Sequence, residues 1–530
     1  KLYYDAYKKD MTAGTYPDVR SGLQKLLKDG LLLFNYTGHG GTTALSDEKV
    51  LTQTDINQFT YTHLPVWVTA TCDFTRFDDL NTSAGEDVFL NKSSGGIALF
   101  TTVRVAYSRP NFPINDNVIR NLFERNNGRR RTLGEVMQAT KNTLSSVYKL
   151  GFCLIGDPAV KIAYPEFGMK VTTVNGQSVD GNSISFKALE KITVEGEVLD
   201  VSGQLVTDFT GIVNPTVKDS KVTVTCLKNS NKDDSPAFTF TDYPNTIFIG
   251  NDSVRNGKFS FTFTVPKDIS YSNLQGKMNL YAVDTESGNE AQGNFDNFIV
   301  GGTSDTAETD TIGPEIRALY LNDTTFVDGG QVNTTPYFVA ELWDKSGVNI
   351  TGSSVGHDMM LVIDESTVLS YNLNSYYELL PGEDGTGIVK FPIPALEPGK
   401  HTAEFWVWDI LNNSTVRTFT FEVVEGLKPF LFDVIATPGI AREQVTFHLM
   451  HNRPESRMRV GIMVYDLAGR QLWKHEESGT SGLFENYTVS WDLTSGGARM
   501  RPGVYIYRAA ISTDNSKDAT KARKFIILGE

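Results

Sequence analysis

Apolar positions along the first 165 residues follow two rhythms. From Pro17 to Asp29, the residues Val19, Leu23, Leu26 and Leu27 recur at helical spacing, with Pro17 suited to a first turn and Gly30 to a stop. A short apolar run then begins at Leu31 and ends in Thr37-Gly38-His39-Gly40-Gly41, and a second, from Pro65 to Thr71, ends at Cys72. Residues 96–103 read as a third strand, and helices are expected over 85–92, 116–125 and 133–148. Continuous apolar strands separated by helical stretches predict a parallel sheet covered on both faces, in an α/β domain that ends near Tyr164-Pro165.

Beyond that point the rhythm changes to alternation with period two. It is clearest in Phe259-Ser260-Phe261-Thr262-Phe263-Thr264-Val265 and in His401-Thr402-Ala403-Glu404-Phe405-Trp406-Val407-Trp408, which predict half-buried strands of antiparallel sandwiches. Residues 301–310 are small, polar and acidic and read as a linker, and a second boundary falls near Glu425-Gly426. The predicted architecture is multidomain: an α/β portion at 1–165, then all-β sandwich domains at 166–303, 311–425 and 427–530. Trp343, Trp406 and Trp408 are expected in a sandwich core.

A length of 530 residues fits several domains rather than one core. Lys and Arg total 49 against 63 Asp and Glu, a balance of −14 that repels a phosphate backbone, so nucleic acid is not an expected partner. No apolar run approaches the roughly 18 residues of a membrane-spanning helix. The opening Lys1-Leu2-Tyr3-Tyr4 carries neither a methionine nor a basic lead into an apolar stretch, and the expectation is the later part of a longer precursor. Three cysteines make no disulfide framework, and no two are spaced as a metal pair. Cys153 and Cys226 read as small buried residues in strand-like surroundings.

Cys72 is placed differently. In an open parallel sheet, ligands bind where loops converge at the carboxyl ends of the strands, and both His39 and Cys72 lie just past such ends, 33 residues apart. If their strands are neighbours, about 4.8 Å apart, the two side chains can face one carbonyl. A thiol attacks as thiolate, and a nearby imidazole favours that form and can protonate a leaving amine. The amides of Gly40 and Cys72 could hold an oxyanion. His63 precedes the strand that Cys72 follows, roughly 30 Å away at strand rise, and belongs to the opposite edge.

The segments Tyr36-Thr37-Gly38-His39-Gly40-Gly41 and Val68-Thr69-Ala70-Thr71-Cys72-Asp73 resemble the two signatures of caspase-like cysteine peptidases, specifically of the gingipain family, peptidase family C25. Gly95-Gly96-Ile97-Ala98-Leu99-Phe100 and Phe152-Cys153-Leu154-Ile155-Gly156-Asp157-Pro158 resemble further gingipain segments. The similarity covers residues 1 to about 165 and would correspond to the second half of a gingipain catalytic domain. It implies His39 and Cys72 as the catalytic pair, Gly40 and Cys72 as the oxyanion hole, and Tyr107 as an aromatic lid on the substrate pocket. No matching acidic residue that would impose preference for arginine or lysine is visible. Any third catalytic carboxylate would lie in the other half, so Asp73, Asp47 and Glu86 read as solvated or capping residues and Asp157-Pro158 as a structural turn.

At the far end, Val464 to Leu472 forms alternating strands about an Asp466-to-Gly469 turn. Together with Trp491-Asp492-Leu493, Pro502 to Arg508 and Lys524 to Leu528, it resembles the C-terminal signal domain of type IX secretion cargo. A gingipain-like core, immunoglobulin-like sandwich modules and that terminal domain together resemble the type IX secretion sortases. The resemblance implies removal of C-terminal signal domains from cargo proteins and transfer of the new C-terminus to anionic lipopolysaccharide through a thioester on Cys72. It further implies a place at the cell surface, anchored to the outer membrane through the barrel protein PorV, with PorZ and PorQ. The competing readings are a secreted gingipain-like protease that only hydrolyses and a surface scaffold or adhesin with an inert peptidase domain. Asp305, Glu308 and Asp310 read as linker solvation rather than a calcium site; no metal and no cofactor is expected.

Overall fold

In a computed structural model, residues 1–529 are described apart from 60, 62, 93, 127, 146, 230–234, 306–309, 353–355, 381–384 and 514; for 108–110 and 148 the description is of the backbone alone. Glu308 therefore lies outside the described residues.

The first helix forms over Pro17–Asp29 (α1) and turns Val19, Leu23 and Leu27 inward. Four strands make the sheet beside it: Leu33–Thr37 (β1), Val66–Ala70 (β2), Ala98–Thr102 (β3) and Phe152–Ile155 (β4), in the order β1-β2-β3-β4. The first three run parallel, and every residue of β2 and β3 is buried, which is why they read as unbroken apolar runs. β4 pairs antiparallel with β3, a departure from the all-parallel expectation. It forms an edge of the sheet, and Cys153 on it is half-buried rather than buried as expected.

Helices cover both faces of this sheet. Gln53–Gln58 (α2) and Ala84–Leu90 (α3) join α1 on one face, where Leu23, Leu27, Ile56, Val88, Trp67 and Leu99 pack. Ser108–Phe123 (α4) and Leu133–Thr143 (α5) cover the other, over Val68, Phe100, Val118 and Val136. α4 begins eight residues before the expected 116, because Pro113 falls early in the helix and removes a single donor, while the amide of Asn111 closes the first turn onto the Tyr107 carbonyl at 3.1 Å. α5 stops at Thr143 instead of reaching 148, and a 3-10 turn over Val147–Gly151 delivers the chain into β4.

From Phe167 onward the structure is strands. A nine-stranded sheet and a three-stranded sheet enclose the core of Val194, Phe261, Leu280 and Phe298. Its last strand, Phe298–Thr303, takes in Gly301, Gly302 and Thr303, so that part of the expected linker is paired strand. Sheets of four and five strands, from Glu315 to Val423, form the next sandwich, and sheets of three and five strands, from Leu431 to Ile527, the last. The expected hairpin joins Met458–Tyr465 to Gln471–Gly479, and Asp466 Oδ1 accepts the amides of Ala468 and Arg470 at 3.0 and 2.8 Å across the turn. Trp343, Trp406 and Trp408 are half-buried on outer faces, a correction to the core expectation: Leu342, Phe405 and Val407 fill the alternate inward positions. The outward indoles find polar company, with Trp406 Nε1 donating to Glu404 at 3.3 Å and the Arg317 guanidinium over Trp343.

Candidate active site

β1 and β2 pair residue for residue up to Thr37 beside Ala70, and the Gly38 amide extends the ladder to the Ala70 carbonyl at 3.4 Å. Two positions further along each strand come His39 and Cys72, so adjacent strand tips about 4.8 Å apart carry the imidazole and the thiol. His63 lies at the other edge, its side chain against Gly30 before β1 begins.

The loop bearing His39 is held from below. The Tyr36 hydroxyl donates to the His39 carbonyl at 2.5 Å, and the Ser46 amide donates to the same oxygen at 2.8 Å. Burial pushes the Tyr36 phenol up to about 12, so it stays a proton donor at any working pH. Gly40 sits against the neighbouring strand tip: a Cβ there would lie 2.4 Å from Thr71 Oγ1 and 3.3 Å from the Ala44 carbonyl. Glycine at 40 thus permits close approach of the two loops, and the Thr71 hydroxyl beneath it is buried with no hydrogen-bond partner among the described residues.

Cys72 is half-buried, with Sγ 3.1 Å from the Ala106 carbonyl and 3.4 Å from the Ala106 amide. Directly after it the backbone turns through Asp73 at φ 49, a left-handed conformation for a non-glycine residue of the kind found where loops are held for function. The amides of Gly40 and Cys72 donate no hydrogen bond among the described residues. Two unengaged N–H groups beside a thiol are what an oxyanion site requires. Tyr107 follows Ala106 and is 59% exposed, at the start of α4.

The acidic residues near these tips are otherwise engaged. Glu86 accepts the Ser83 amide and hydroxyl at 2.8 and 2.6 Å in a capping box, and Asp47 is exposed. Asp78, which the sequence did not single out, is gripped by Arg104 at 2.6 and 3.0 Å, and that guanidinium lowers its carboxyl below the ordinary value. Asp157 accepts the Ala159 amide at 2.8 Å in a turn.

Away from this edge, the expected linker residue Asp310 is not a solvated spacer. It accepts the Ser346 hydroxyl at 2.7 Å, and its carboxylate, that of Asp344 and that of Asp409 bring oxygens within 4.8 Å of one another, the one such acidic group among the described residues with the chemistry to hold a cation. Burial raises Asp344 to about 6 and raises Asp409 as well.

The family model described as Peptidase family C25 matches residues 1–163. That stretch is a Peptidase family C25 segment. It contains β1 to β4, α1 to α5 and every residue of the thiol edge described above. Among solved structures, the chain is similar to dimeric latent PorU from Porphyromonas gingivalis, with 34% identity over 97% of this chain and a TM-score of 0.34. It spans 47% of that PorU chain, about half its length. It is also similar to the Arg-specific cysteine proteinase gingipain R, at 18% identity, covering 53% of this chain and 56% of that one with a TM-score of 0.26. The complex of the RgpB pro- and mature domains from Porphyromonas gingivalis matches at 19% identity, 53% and 57% coverage and a TM-score of 0.26. A comparison with the curated proteins found no match.

Sequence reasoning did not single out Tyr36, Thr71, Ala106, Asn111 and Asn115, which surround the two tips. Asn111 and Asn115 left a trace in their spacing of four, two polar residues on one face of a helix that starts eight residues before the expected position.

Proposed function

We propose that this chain carries the cysteine and histidine of a cell-surface cysteine peptidase that works as a type IX secretion sortase. The observation that carries the reading is the strand register, which brings His39 and Cys72 to neighbouring tips with the unengaged amides of Gly40 and Cys72 beside them. The C25 match over 1–163 and the 34% identity to PorU over 97% of the chain favour the same reading.

In this reading Cys72 Sγ, its proton taken by His39, attacks the scissile carbonyl between a cargo protein and its C-terminal signal domain. The Gly40 and Cys72 amides receive the oxyanion of the tetrahedral intermediate. Collapse breaks the C–N bond, His39 returns the proton to the leaving amine of the signal domain, and the cargo remains as a thioester on Cys72. An amine of anionic lipopolysaccharide then attacks the thioester, gives its proton to His39, and leaves with the cargo in an amide bond while the thiol is restored. Tyr107 flanks the residue before the scissile bond, and the Asp78 carboxylate is taken up by Arg104. No described helix is long and apolar enough to cross a membrane, and outer-membrane anchoring falls to PorV, with PorZ and PorQ as further partners.

Mass spectra of cargo products test the reading. The mature cargo gains the mass of an amine acceptor in the whole enzyme, and Cys72→Ala stops processing. A free carboxylate product in the presence of acceptor would make the protein a hydrolase only, and unchanged processing by the Cys72→Ala protein would leave a scaffold.

A further inference from the structure

The peptide unit between Thr71 and Cys72 is held on one side only. The Thr71 carbonyl, which has left the sheet ladder, accepts the Thr102 hydroxyl at 2.6 Å and the Asn111 amide nitrogen at 3.4 Å. Both donors are buried, Thr102 at 3% and Asn111 at 6% exposure. A trans peptide is planar, with its C=O and N–H pointing in opposite directions. Fixing the carbonyl therefore fixes the Cys72 N–H, and that amide donates to no acceptor among the described residues. Thr102, the shorter contact, carries most of this restraint.

One turn along α4, Asn115 donates to Thr37 Oγ1 at 2.5 Å. Thr37 is the last residue of β1, two before His39. Positions four apart share one helix face, so a single face of α4 grips the tip that carries the thiol and the tip that carries the imidazole. Asn115 is 7% exposed and its Oδ1 has no partner among the described residues. A buried carboxamide left half-satisfied is unfavourable, which makes it a poor choice for packing alone.

We propose that Thr102, Asn111 and Asn115 are positioning residues: Thr102 and Asn111 aim the Cys72 amide as an oxyanion donor, and Asn115 holds the His39 tip in register with it. The assignment rests on the peptidase reading above. None of the three touches the reacting atoms; each acts through the strand tip it holds.

The test uses the whole enzyme and three readouts: steady-state cleavage of a cargo-junction peptide, inhibition by a peptide aldehyde, and alkylation of Cys72 by iodoacetamide. An aldehyde adduct places a developing oxyanion at the amides, whereas alkylation forms none. Thr102→Val combined with Asn111→Ala lowers kcat 10- to 100-fold with KM within twofold, weakens the aldehyde by the same factor, and leaves the alkylation rate of Cys72 unchanged. Thr102→Ser restores kcat. Asn115→Ala, which loosens the histidine side, instead shifts the pH profile of alkylation and of kcat. Equal losses in all three readouts for the Thr102 and Asn111 variants would show a structural role and overturn the proposal, as would wild-type kcat with wild-type aldehyde affinity. Cys72→Ala separates the layers: activity retained in that protein removes the peptidase reading itself, while activity lost there but kept in the Thr102→Val/Asn111→Ala protein removes only this inference.

Discussion

Gly40 shows how little room separates the two tips. A methyl group there would meet Thr71 Oγ1 at 2.4 Å and the Ala44 carbonyl at 3.3 Å, so Gly40→Ala must push the His39 loop away from Cys72. A displacement near 1 Å at a reacting pair lowers rate by about 10²-fold. We expect kcat/KM to fall by about that factor while thermal unfolding changes little, checked by kinetics and calorimetry on one preparation. Tyr36→Phe removes one of two hydrogen bonds to the His39 carbonyl and keeps the ring in place. The expected loss is about 1 kcal/mol of stability with a smaller drop in kcat than Gly40→Ala gives, and an equal or larger drop would mean that the hydroxyl acts on the substrate.

At the scale of elements, helix ends carry much of the local specification. α2 is only six residues long and depends on its first turn: Asp55, 4% exposed, accepts the Thr52 amide and hydroxyl at 2.8 and 2.7 Å and pairs with Arg20 of α1. Asp55→Ala removes the cap and leaves both partners wanting, with an expected loss of about 2–4 kcal/mol. Hydrogen exchange should report it first in α2 and the start of α1. α2 was not expected from the sequence, because one apolar position, Ile56, in six residues gives no helical period and the capping box Thr52-to-Asp55 was the sole signal. α4 was legible only in its second half, since prolines at 110 and 113 disguise a first turn that tertiary contacts sustain. The alternating strands were easier to read, yet alternation says which residues share a face and not which face is inside, and this is why the tryptophans of the 315–423 sandwich were placed in its core.

Across the whole molecule, contacts between distant segments tie the thiol-bearing domain to the β-rich ones. The Asp5 carboxylate accepts the amides of Lys228 and Asn229 at 2.9 and 2.8 Å, and Lys28 of α1 pairs with Glu455 at 2.7 Å. Asp5→Ala should raise hydrogen exchange at 226–229 and in the first seven residues without altering the sheet, whereas an effect that spreads through β1 would mean the contact supports the site. The Asp310, Asp344 and Asp409 group makes a pH prediction for the third domain. Asp344 titrates near 6 in the fold, through burial, against an ordinary 3.8. The folded state therefore holds the proton that the unfolded chain has already lost, so the stability that Asp344 contributes falls as pH rises from about 4 to 6. With chelator present, the change should be about 1–3 kcal/mol, and Asp344→Asn should shrink it to what Asp409, raised as well, contributes. Hydrogen exchange of the 315–423 sandwich at pH 4 and pH 7 measures this, and a slope of the opposite sign would reject it.

The chain by itself settled which residues could do chemistry and the order of its parts: an apolar run ending in His39, another ending in Cys72, and a long alternating β half, because periodicity and strand ends are properties of neighbouring residues. What lies between those tips was decided only in three dimensions. The register of β1 on β2, the Gly40 approach to Thr71, the grip of α4 through Asn111 and Asn115, and the meeting of Asp310 with Asp344 and Asp409 join residues from about 30 to 100 positions apart. Such contacts follow from how whole elements pack, and no local pattern of side chains encodes which carbonyl a distant asparagine will reach.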